Sequence, residues 1–142
     1  MIACLPMYDW PEIGAATDRF WGAIRHRLRA GRLAAPGTLS RGASLWDMWE
    51  SPDLLLGQTC GMPLRTRLAG RVTLVATPDH GLPGVPAGHY QSVFVARRDD
   101  PGEVADFLGR IFAYNAPDSQ SGWAAAANHV APARFRRLLC TG

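Results

Sequence analysis

The chain has 142 residues, 47% of them hydrophobic and 19% charged, which excludes a disordered chain and suits one domain burying roughly 70% of its unfolded surface. All 15 basic residues are Arg and the net charge is +3, yet they are scattered and not interleaved with aromatics, so no nucleic-acid partner is expected. No stretch approaches the ~20 apolar residues of a membrane span, and Cys4, Cys60 and Cys140 lack the spacing of a zinc site or disulfide framework.

Residues 2–8 (IACLPMY) read as a short buried strand, with Cys4 in its core pattern. Asp9 then offers an N-cap, with Pro11 in the first turn and Glu12 three residues on. Ile13, Ala16, Phe20, Ile24 and Leu28 follow at helical spacing, with Trp21 flanking that stripe. The helix is expected to end at Gly31 in a left-handed cap. A connection with a short strand near 38–40 leads to a brief helix, Leu45 to Glu50, capped by Ser44. Its Trp46 and Trp49 sit at i,i+3 and are read as packing residues.

Leu54 to Gln58 (LLLGQ) is a short apolar run of the buried parallel type, followed by a loop at 59–63. Val72 to Ala76 reads as a strand, 77–88 as a turn-rich segment, and Tyr90 to Arg97 (YQSVFVAR) as an alternating strand. A turn at 99–102 precedes a short helix, Glu103 to Arg110. Ile111 to Tyr114 is a further strand. The run NAPDSQSGWAAAANHVA is a loop feeding an Ala-rich helix bounded by Pro132, and Phe135 to Cys140 begins one more strand. Strands alternating with helices imply an α/β fold with a mostly parallel sheet and flanking helices.

In such folds ligands bind at the carboxyl ends of strands. Those places hold Tyr8 and Asp9, then Gln58 and Thr59, then Ser119, Gln120, Ser121 and Gly122. The Ser-Gln-Ser-Gly run at a helix start would aim two hydroxyls and open N–H groups at one point. The helix dipole adds about half a positive charge there, and Gly122 allows close approach. That suits an oxyanion, but a Ser at a helix start is more often only an N-cap.

The runs FAYNAPDSQSGWAAAANH at 112–129 and YQSVFVARRDDP at 90–101, with MIACLPMYDWPE at the start and SPDLLLGQTCGMPL at 51–64, resemble the phosphonate-binding solute-binding proteins of ABC transporters. The resemblance implies a type II periplasmic-binding fold, with residues 1–89 as a first lobe and 90–142 as a crossing strand and the start of a second lobe. It implies capture of a small anionic ligand without chemistry, delivery to an ABC permease, and no cofactor. It places Ser119, Gln120, Ser121 and Gly122 on the anion, Tyr8 beside Gln58 and Thr59 in the cleft, and Tyr90 and Ser92 at the first crossing between lobes. Family members are about twice as long, so a chain that ends at residue 142 is expected to bind weakly or not at all and to expose an apolar surface favouring a homodimer or aggregation. The resemblance implies a periplasmic location. The N-terminus has neither a basic n-region nor a long apolar core, so no signal peptide is expected and a cytoplasmic location stays open.

Two other classes stay open. Cys60 stands at a strand end where nucleophiles occur, and His80 or His129, with Asp79 as orienter, would be its partners in a Cys-dependent enzyme on the same fold. A cytoplasmic sensor or orphan binding domain is the third reading. No set of His, Cys or acidic residues has metal-ligand spacing, and no metal is expected.

Overall fold

The structure is a computed structural model that describes residues 1–142. It is an α/β fold built from short parallel strand pairs, β1 (Ile2–Cys4) with β2 (Leu54–Gly57) and β3 (Ile111–Tyr114) with β4 (Arg137–Cys140). The helices are α1 (Gly14–Ala30), α2 (Leu45–Trp49), α3 (Gly61–Arg65) and α4 (Ala125–Val130), with a 3-10 turn at Val104–Phe107 and a π-turn at Gln120–Ala124. The expected single parallel sheet is two separate two-stranded sheets. The chain divides into two compact units, Met1–Thr59 and Cys60–Gly142, so the expected boundary at 89/90 lies inside the second unit.

In the first unit β1 and β2 pair in parallel, Ala3 opposite Leu56 and Cys4 opposite Gly57. The ladder is extended at both ends, where the Ile2 N–H donates to Asp53 O and the Gln58 N–H to Cys4 O. The stretch at 38–40 forms no strand; it gives the sheet one bond, from the Ser40 N–H to Ala3 O at 2.8 Å. The core gathers Ala3, Leu5, Trp21, Ala35 and Leu39, with Ile24, Leu28, Leu55 and Leu56 against it.

The stripe of α1 keeps Ile24 and Leu28 against the core as expected, but Trp21 takes the place expected for Phe20. Trp21 is 2% exposed, whereas Phe20 is 58% exposed. Trp21, Ile24 and Leu28 still share a face at i, i+3, i+7, and the indole, the larger side chain, takes the core.

The ends of α1 also differ from expectation. The helix begins at Gly14 behind Ile13, with no side-chain cap. Asp9 instead accepts Arg41 Nε at 2.6 Å and Arg41 Nη2 at 3.3 Å. A fork-shaped cation outcompetes the neutral N–H groups that a cap would serve. At the other end Gly31 has φ −79, and Arg32 takes the left-handed conformation with φ 62. The Leu33 N–H reaches Leu28 O and the Arg32 N–H reaches Arg29 O, a Schellman closure shifted by one residue.

The second unit buries little: Pro63, Leu68, Ser119, Ala124 and Ala126 are its buried residues. The segment expected as a loop at 59–63 contains the start of α3. The expected strands at 72–76 and 90–97 have no ladder partner and are not strands, and Val93 and Val95 stand 80% and 89% exposed. Between them the Gly and Pro turns do form, with Gly81, Gly84 and Gly88 all at positive φ. The expected helix at 103–110 is the shorter 3-10 turn, closed by Asp106 accepting the Glu103 N–H at 2.9 Å. The strand at 111–114 stands as expected, and its parallel register runs from Ile111 opposite Arg137 to Tyr114 opposite Cys140.

Candidate functional site

The β3–α4 connection organises the site. Asn115 to Ser119 turns the chain, and Ser119 then starts a continuous helical run, the π-turn followed by α4. Ser119 Oγ accepts the Gly122 N–H at 3.0 Å. Ser119 is buried, so it acts as the N-cap and not as a ligand group. The wide π-turn has i→i+5 bonds, with the Ala124 N–H reaching Ser119 O. Such turns open a helix and often mark functional positions. The first N–H groups of a helical run have no intrahelical acceptor, which leaves those of Gln120 and Ser121 available.

Gly122 is required by space. A Cβ there would run into Asn115 Oδ1 and approach Ser119 Oγ within 3.1 Å. The Gln120 side chain lies beside Gly61 at the start of α3, its Cγ 3.6 Å from where a Gly61 Cβ would be.

An open cleft of about 1210 Å³ lies within the second unit. Tyr90, Ser92, Gln120, Ser121 and Gly122 line it together. The Ser92 hydroxyl donates to Ser121 O at 3.3 Å, tying the irregular 90–97 segment to the helix start. The Ser121 hydroxyl and the Gln120 side-chain amide make no hydrogen bond within the chain, so both remain available to a guest.

Part of the remaining wall is aromatic. Phe112 stacks on Phe135 with centroids 4.1 Å apart and planes 9° apart. Phe94 tilts over both at 6.1 and 6.2 Å, and over the His129 ring at 5.4 Å. Tyr114 meets Trp123 at 4.9 Å. Two of the lining charges are paired: Arg97 holds Asp99 at 2.9 and 2.8 Å, and Arg110 holds Asp100, while the Glu103 carboxylate on the same lining has no cation beside it. The Arg97 guanidinium keeps the Asp99 carboxyl below its ordinary range.

The other expected site residues stand in the first unit, at its strand ends. Tyr8 adopts φ 65, with its ring edge-on to Trp10 at 5.9 Å. Gln58 is engaged structurally: its Oε1 accepts the Met7 N–H at 3.2 Å and its carbonyl accepts Trp49 Nε1 at 3.1 Å. Thr59 is half-buried beyond β2. Asp9 is committed to Arg41, which also holds Asp18 at 2.9 Å. The Arg41 bond is the main cause that lowers the Asp9 carboxyl below its ordinary 3.8.

Among the candidate nucleophiles, Cys4 is buried and burial pushes its thiol up, the opposite of activation. Cys60 precedes α3 and, like His80, is not part of the cleft wall, whereas His129 is. No three His, Cys, Asp or Glu side chains come together as metal ligands would, and no helix is long and apolar enough to cross a membrane.

The aromatic wall is what the sequence reading missed. Phe112 and Phe135 read as strand interior, and only the parallel pairing of β3 and β4 brings their rings together. The alternation of YQSVFVAR carried a signal, since it set Phe94 on the same side as Ser92 and Tyr90 at a spacing of two. No protein-family model, curated protein or solved structure matches this chain.

Proposed function

We propose that this chain is the ligand-capturing part of an ABC-type solute-binding protein with a type II periplasmic-binding fold, holding a small oxyanion such as a phosphonate without chemistry on it. The supporting observation is the shared cleft wall of Tyr90, Ser92, Gln120, Ser121 and Gly122, on which the Ser121 hydroxyl and the Gln120 side-chain amide make no hydrogen bond within the chain. Donors held in place beforehand replace the water of an anion at little reorganisation cost. Hydrogen bonds to a charged group contribute about 1.5–3 kcal/mol each. Three or four of them support micromolar affinity once association costs are subtracted. In this reading a permease is the downstream partner.

Calorimetric titration with methylphosphonate tests the reading. Measurable binding is expected, at or weaker than the micromolar level, and Ser121→Ala weakens it roughly tenfold by removing one charge-assisted bond. Absence of any heat up to millimolar ligand, or an affinity indifferent to Ser121→Ala, would rule the reading out.

A further inference from the structure

The cleft is far too large and too apolar for a bare oxyanion. Its volume, about 1210 Å³, exceeds the roughly 300–1,000 Å³ of ordinary small-molecule sites. A methylphosphonate at the Gln120–Ser121 corner would leave most of it wet. Phe94, Phe112 and Phe135 line the same cleft, and none of the three is buried; Phe94 is 39% exposed. Rings normally bring 150–250 Å² each into a core, so a three-ring cluster left facing an open cleft is surface that a guest would cover.

The charges point the same way. Arg97 and Arg110 are each neutralised by an aspartate, and the Glu103 carboxylate on the lining has no cation beside it, so the lining offers an anion neutral N–H and O–H donors and no unpaired guanidinium. A guest held there draws its affinity from apolar contact as much as from charge. We infer that the cleft takes an anion carrying an aromatic or similarly flat group, its head at Gln120 and Ser121 and its ring against Phe94 and the Phe112–Phe135 stack. The inference rests on the anion-capture reading above and names the class of solute within it.

Titrating the full chain with phenylphosphonate and methylphosphonate tests it. Phenylphosphonate is expected to bind roughly tenfold or more tightly, from ring burial and ring–ring contact. Phe94→Ala narrows that gap, because it weakens phenylphosphonate far more than methylphosphonate. Phe94→Leu, which keeps apolar bulk, closes it in part and guards against misfolding of the Ala variant. Equal affinity for the two probes, or a gap that neither variant narrows, overturns the aromatic preference while leaving oxyanion capture intact. Binding of neither probe removes both readings. Sedimentation run alongside covers the remaining occupant: a dimer that Phe94→Ala dissociates, with no gap between probes, assigns the rings to a second copy of the chain and overturns the inference.

Discussion

Asp9 shows how a single partner reassigns a residue. Its place before a helix suggests a cap, and its place after a strand suggests a ligand contact. Arg41 takes both oxygens instead, because two charge-assisted bonds in a fork outweigh one bond to a neutral N–H. The pairing has a pH signature. The folded carboxyl titrates below its ordinary 3.8, so the stabilisation is fully present above that value and is lost as pH falls through the lower folded value. Arg41 stays cationic throughout. Asp9→Asn is expected to cost about 1 kcal/mol at pH 7, the upper range for a partly exposed pair. Thermal melts should show this deficit shrinking steadily below pH 3.8; a deficit constant from pH 7 to 3 would show that Asp9 acts through shape rather than charge. Ser119 makes a similar point at the site, since its hydroxyl is spent inside the turn and the neighbouring Gln120 and Ser121 remain open.

At the level of elements, legibility followed how much of each element is decided locally. The strand Ile111–Tyr114 was readable because a short apolar run between turns has few alternatives, and the turns at 77–88 were readable because glycine supplies their positive φ cheaply. The strands expected at 72–76 and 90–97 were not settled by pattern, because alternation says only that residues suit a pleated surface. A ladder also needs a neighbour, and none lies beside them. On α1 the period was right and Ile24 and Leu28 face the core as expected, but nearer its start Trp21 and not Phe20 is buried, since period 3.6 leaves the choice between adjacent positions to packing. That choice is directly testable. Trp21→Ala should cost about 3–5 kcal/mol, as expected for emptying an aromatic core site, and Phe20→Ala within about 0.5 kcal/mol, as at an exposed position. Denaturant midpoints measure both, and a larger loss at Phe20 would restore the other face.

For the molecule as a whole, the residues with chemistry at the helix start were legible from their types, while the aromatic wall was not. Phe94, Phe112 and Phe135 come from three separate segments, and only the β3–β4 register and the course of the 90–97 segment gather them. The same distribution of contacts makes stability uneven along the chain. The first unit has an apolar core under α1 and a sheet extended at both ends. In the second unit the backbone from 72 to 84 and from 90 to 97 has neither helix nor ladder, and Val75, Val93 and Val95 face solvent. Local opening costs little where few buried contacts and few backbone bonds must break. Amide hydrogen exchange should therefore protect Ile24 to Leu28 and Gln58 over the 90–97 amides by a factor of roughly 10³ or more, given ordinary domain stability. Comparable protection at Val93 and Val95 would mean that this segment does sit in a ladder, and the cleft wall it forms with Ser121 would have to be redrawn.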